Sequence, residues 1–103
     1  HFELIEDTKM SETKRWVVVA PPGNTGCRLL LAKGVGDEQL SRVGNQTGGR
    51  VFLFIHTDDF EGEYENLKAK GVKIVRGPVD EPYGQVLVFE DLYGNLIELV
   101  QPA

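Results

Sequence analysis

Phe89-Glu90-Asp91-Leu92-Tyr93-Gly94-Asn95-Leu96-Ile97-Glu98-Leu99 is the stretch on which the organisation of this chain turns. Gln85 to Glu90 reads as a strand, Asp91 to Asn95 as a turn rich in turn-forming residues, and Leu96 to Val100 as the closing strand. Moving back from it, Val51-Phe52-Leu53-Phe54-Ile55 is an uninterrupted apolar run, as expected of a strand buried on both faces. His56-Thr57-Asp58-Asp59 leads into a helix. Asp58 is placed to cap it, with Glu61 at capping-box spacing. Phe60, Tyr64 and Leu67 form one apolar stripe, and Gly71 supplies a left-handed stop. Val72 to Val75 is a strand, and Arg76 to Gly84 reads as a Pro/Gly-rich loop. Residues 50–101 therefore read strand–helix–strand–strand–strand.

The first part of the chain repeats the end of that unit. Phe2 to Glu6 alternates apolar and acidic residues as a half-buried strand does, and Asp7 to Thr13 is polar and turn-like. Arg15 to Ala20 is a strand closed by Pro21-Pro22-Gly23. Asn24-Thr25-Gly26 makes a turn, and Cys27 to Ala32 a third strand. Gly34 to Gly49 is a glycine-rich linker with a short helical turn around Glu38 to Val43. The chain thus reads as one 1–103 domain: an incomplete first module at 1–33, a linker at 34–49 and a complete βαβββ module at 50–103.

Composition narrows the partners. Sixteen acidic against 11 basic residues leave a net charge of -5 over 103 residues, without the basic footprint that nucleic acid requires. The apolar runs are too short to cross a bilayer. The lone Cys27 forms no internal disulfide, which favours a cytoplasmic setting.

The tandem arrangement resembles the vicinal-oxygen-chelate superfamily, which includes glyoxalase I, bleomycin-resistance proteins and extradiol dioxygenases. Four stretches carry the likeness: Phe2-Glu3-Leu4, Arg15 to Gly23, Thr57-Asp58-Asp59 with its helix ending at Leu67 to Val72, and Phe89 to Leu99. The last is similar to a D-P-x-G-N-x-x-E-L pattern, with Leu92 in place of proline. The resemblance implies an α+β glyoxalase-like fold: tandem βαβββ modules forming a half-open, barrel-like mixed sheet around a concave cavity. It also implies an opening strand and helix ahead of His1.

Superfamily enzymes hold a divalent cation through the first and last strands of each module. Matched position by position, the resemblance places one ligand on Glu98, while the equivalent first-module position falls on Leu30. The first-strand position of the second module falls on Phe52, and the fourth lies ahead of His1. One carboxylate is fewer than the three protein ligands a catalytic metal ordinarily takes. No cofactor is expected, then, with a divalent metal at Glu98 left open.

Strand alternation supplies the candidate lining. Arg28, Phe52, Phe54, His56, Val86, Val88 and Glu98 are the ligand-binding candidates, with Leu30 and Glu90 on the same face. Leu29, Leu31, Leu53, Ile55, Leu87, Phe89, Ile97 and Leu99 face the helix as core, and comparison between the modules puts Trp16 with them. Glu98 and His56 are the candidate catalytic groups, as a base in a hydrocarbon setting and as a group titrating near neutrality.

Two functions follow. One is a bleomycin-resistance-like homodimer that binds a small organic molecule, with net charge -5 favouring a cationic one. The other is a metal-dependent lyase, isomerase or dioxygenase whose missing ligands come from the absent N-terminus or a partner chain.

Overall fold

The computed structural model describes residues 1–23 and 26–103. The chain runs β1 (Glu3–Lys9), β2 (Arg15–Ala20), β3 (Leu29–Leu31), α1 (Gly36–Arg42), β4 (Val51–His56), α2 (Phe60–Ala69), β5 (Ile74–Glu81), β6 (Gly84–Glu90) and β7 (Leu96–Pro102). This mixed α+β architecture, mostly strands in two open sheets, is the expected class. Two compact units divide it, His1–Gly36 and Asp37–Ala103. Residues 34–49, read as a linker, carry α1. The turn expected at Asn24-Thr25-Gly26 lies partly outside the described residues.

In the second unit the sheet order is β4-β7-β6-β5. β4 and β7 run parallel, while β5–β6 and β6–β7 are antiparallel. A parallel pair cannot be joined by a tight turn, so the chain between β4 and β7 must cross over, and α2 lies on that path. The helix begins one residue later than the capping-box spacing predicts. Asp59, not Asp58, is the N-cap, and its Oδ1 accepts from the Gly62 amide at 3.1 Å. Thr57 Oγ1 accepts from the Asp59 amide at 3.0 Å, and Gln101 Oε1 from the Phe60 amide at 2.8 Å. With Gln101 covering an open amide of the first turn, no capping box is needed.

The other end of α2 is as the sequence implied. The Val72 amide donates to the Leu67 carbonyl and the Gly71 amide to the Lys68 carbonyl, both at 3.0 Å. Gly71 has φ +70°, so this is a Schellman closure around a left-handed glycine. Between its two ends α2 lays Phe60, Tyr64 and Leu67 on the sheet. Phe60, Leu87 and Leu99 form the buried centre, joined by Ile55, Ile74 and Phe89. Each fully buried Phe or Leu side chain contributes on the order of 2 kcal/mol through removal from water.

The stretch Arg76 to Gly84, read as a loop, is largely strand: β5 continues to Glu81 through Gly77-Pro78. Pro78 is tolerated because β5 is an edge strand, where a missing amide forfeits no ladder bond on the solvent side. Register shifts between Ile74 and Arg76 and between Arg76 and Val79 absorb the residues that do not pair.

The first unit is the antiparallel meander β1-β2-β3. β1 runs on to Lys9, three residues past its expected end. Its polar end is held across the hairpin by Asp7, which takes Arg15 Nε at 3.1 Å and Nη2 at 2.5 Å. The repeat is visible in the ladders. Val17↔Leu31, Val18↔Leu30 and Val19↔Leu29 in the first unit match Leu87↔Leu99, Val88↔Glu98 and Phe89↔Ile97 in the second. That register corrects the placement of Trp16. It shares the face of Val18 and Leu30, opposite Val17 and Leu31, and is 38% exposed. Leu31 is exposed as well, since the described residues of the first unit hold no counterpart of α2.

Phe60→Ala is expected to lower unfolding free energy by about 3–5 kcal/mol. Gly71→Ala, whose added Cβ would meet nothing within 4 Å, should cost only the left-handed backbone penalty of about 1–2 kcal/mol. Urea unfolding of both variants measures the contrast.

Candidate functional site

Glu98 sits near the middle of β7 with Phe54 of β4 on one side and Val88 of β6 on the other. Alternation puts it on the face away from α2, since its neighbours Leu99 and Ile97 turn toward the helix side. The residue is 6% exposed. The Tyr83 hydroxyl donates to Glu98 Oε2 at 3.4 Å. Val86, Val88 and Val100 on the same face are buried, whereas Phe54 is 60% exposed. The site is a carboxylate and a phenol set in hydrocarbon, with one aromatic ring open to solvent.

The remaining candidates are distributed more loosely. His56 pairs with Val100, one row along the face from Phe54 and Glu98, and is exposed. Phe52 falls where β4 jumps from the Val51↔Leu96 pair to Leu53↔Ile97, yet burial along β4 still alternates, leaving Phe52 exposed like Phe54 and His56. Arg28 precedes β3 in the first unit and is exposed. Leu30, which the resemblance matches to Glu98, pairs with Val18 in an antiparallel ladder as Glu98 does with Val88. Glu90 is occupied by an ion pair with Lys73 Nζ at 3.1 Å.

Tyr83 was not among the expected site residues. It lies at the β5–β6 turn, in the segment whose prolines and glycines read as loop, and its carbonyl accepts from the Ala103 amide at 3.0 Å. Reading β5 as a strand to Glu81 would have placed the hairpin turn at Pro82-Tyr83. The Tyr83 hydroxyl is held above the ordinary phenol range, first by partial desolvation and then by the nearby Glu98 and Glu81 carboxylates. It therefore remains a protonated donor. Arg76 is raised chiefly by its hydrogen bond to Glu81, against some desolvation, with further attraction from Glu81, Tyr83 and Glu98. Its Nη2 lies 2.5 Å from Glu81 Oε1, and it makes no hydrogen bond to Glu98.

β7 is aimed by the turn that precedes it. Asp91 Oδ1 accepts from the Tyr93 and Asn95 amides, and Oδ2 from Asn95 Nδ2, all at 2.9 Å. Asn95 is buried, and its Oδ1 accepts from the Gln46 amide at 3.2 Å. This explains the Asp-x-x-Gly-Asn pattern physically. The Asp ties the turn, Gly94 takes φ +104°, and the Asn docks the turn on the loop before β4. Leu92, standing where proline was expected, is 88% exposed and makes no such demand.

A resident divalent cation requires converging donors. The ladder neighbours of Glu98 are hydrocarbon, and among the described residues no three His, Cys, Asp or Glu side chains gather around a common point. A carboxylate and a phenol do not make a divalent-metal centre of the usual three or more protein ligands.

The match to known proteins agrees with this fold. The family model for the glyoxalase/bleomycin resistance protein/dioxygenase superfamily covers residues 1–99. The chain belongs to that superfamily. An uncharacterized protein of Shewanella frigidimarina is 56% identical over 101 residues, spanning 97% of this chain and 75% of that one. Among solved structures, TnmS3, an antibiotic binding protein from Streptomyces sp. CB03234, superposes with a TM-score of 0.74 at 30% identity, covering 99% of this chain and 76% of its own. UcmS2 gives a TM-score of 0.80 at 28% identity, covering 96% and 78%. No helix among the described residues is long and apolar enough to cross a membrane.

Partial burial opposes ionisation of Asp91, but the hydrogen bonds from the Asn95 side chain and the Tyr93, Asn95 and Gly94 amides outweigh it and hold the carboxyl below its usual range. A lowered folded-state value stabilises at pH above the unfolded value of about 4, and that contribution is lost as pH falls through the folded value. Asp91→Asn is expected to cost about 2 kcal/mol near neutrality. Its deficit against the native protein should shrink below about pH 4, as read by urea unfolding across a pH series.

Proposed function

We infer that this superfamily member binds a small organic molecule on the Glu98 face of the second unit, with its ancestral metal position reduced to a single carboxylate. One observation carries the reading: Glu98 is flanked across both ladders by Phe54 and Val88, so its surroundings are those of a binding surface. Apolar walls with a few placed polar groups are the usual make-up of small-molecule sites. The likeness to an antibiotic binding protein supports binding as the activity. An excess of acidic residues favours a cationic ligand through long-range attraction.

In this reading the lining also takes in Val86, Phe52 and His56 of the second unit. The protein acts in the cytoplasm as a homodimer, since open sheet edges favour pairing between chains.

A thermal-shift screen of natural-product-like compounds is expected to give stabilising ligands whose effect weakens in Phe54→Ala. A screen without any ligand would remove the reading. Metal analysis of the purified protein should find well under one divalent ion per chain. A tightly held ion at one per chain would instead favour the lyase, isomerase or dioxygenase alternative. Sedimentation at micromolar concentration should give a dimer, and a clean monomer there contradicts the assembly.

A further inference from the structure

Glu98 as a residue is more than nine-tenths buried, and no ion pair among the described residues includes it. Its one hydrogen bond among the described residues is the long 3.4 Å contact from Tyr83 to Oε2. Arg76, the cation close enough to feel its charge, gives its Nη2 to Glu81 and makes no hydrogen bond or close ion pair with Glu98. Among the described residues no buried side-chain oxygen is left without a partner, so Oε1, which accepts no bond from them, keeps some contact with solvent. A charge removed from water without a cation beside it is costly, and a ligand that supplies one relieves that cost.

We propose that Glu98 and Tyr83 form an amine anchor: Glu98 Oε1 takes a protonated primary or secondary amine of the ligand while Tyr83 holds Oε2. This deepens the small-molecule reading above and rests on it. The chemistry sets three selections. The nitrogen must be charged, because a neutral hydroxyl would leave the buried carboxylate without a counter-charge. It must carry an N–H, because an acceptor oxygen with a free lone pair is satisfied by a donated hydrogen and not by a quaternary centre. The remainder of the molecule must be apolar at that end, because the walls beside the carboxylate are Phe54, Val86 and Val88.

Tyr83 is the specificity-determining member of the pair. Its hydroxyl, 3.4 Å from Oε2, takes one of that oxygen's two lone pairs, which favours a single N–H donor at Oε1 over a guanidinium fork spanning both oxygens. Glu81 has a supporting role. By holding Arg76 it keeps the protein's own guanidinium from neutralising Glu98.

The test uses four probes of one shape: 2-phenylethylamine, its N,N,N-trimethyl derivative, phenethylguanidine and 2-phenylethanol, titrated into the full chain by calorimetry or ligand-observed NMR. The amine is expected to bind at least about tenfold more tightly than the alcohol or the quaternary probe, as for a charge-assisted hydrogen bond. Glu98→Gln should bring the amine down to the level of the alcohol. Tyr83→Phe should narrow the preference for the amine over phenethylguanidine several-fold while leaving alcohol binding in place. Glu81→Gln should weaken amine binding by freeing Arg76. It keeps the test open if Glu98→Gln does not fold. Equal binding of amine and alcohol by the native protein overturns the anchor and leaves the small-molecule reading standing. So does an amine preference that survives Glu98→Gln, and so does the absence of binding by any probe. The small-molecule reading falls only with an empty compound screen.

Discussion

The parallel ladder between β4 and β7 is the constraint on which the second unit depends. It makes β7 an interior strand, bonded to β4 on one side and β6 on the other, so both faces of β7 must be dealt with at once. Leu99 goes to one face, where Phe60 and Leu87 close over it. Glu98 is then forced to the opposite face by the pleat alone. The helix and the carboxylate are thus two outcomes of one pairing. Moving β7 by a single residue would exchange them, driving a charge into the apolar centre. The hydrogen bonds of the Asp91–Asn95 turn and the Gln101 bond to the start of α2 both act on this strand, from its two ends.

Much of this was legible in the chain. The 3.6-residue stripe of Phe60, Tyr64 and Leu67 and the two-residue alternation of the closing strands specify which side chains meet, and they meet as expected. Errors came where one residue type carries two meanings. Proline and glycine at 77–78 signal a loop in most contexts, but an edge strand admits them, and edge position is a property of the finished sheet. Asp58 and Asp59 are equally good caps by composition. The choice was made by Gln101, more than forty residues away in sequence. Trp16 needed the β1–β2–β3 register, which no single strand displays.

The candidate site divides along the same line. Glu98 with its hydrocarbon neighbours Phe54 and Val88 followed from alternation plus the family resemblance. Tyr83 did not, because it reaches Glu98 from a turn and obeys no period. Its role depends on the length and register of a hairpin that was read as loop.

The equivalence of Val18↔Leu30 with Val88↔Glu98 has a further consequence. A duplicated module begins with two copies of every functional position, and a symmetric site would oblige both to change together. Here the pairing geometry has been kept while the chemistry of the two positions has separated, leucine in one and glutamate in the other. The backbone of each module therefore works as a frame whose central position can be rewritten without disturbing its ladder. Divergence of ligand preference among such proteins can then proceed one module at a time, with the fold held constant by side chains on the other face.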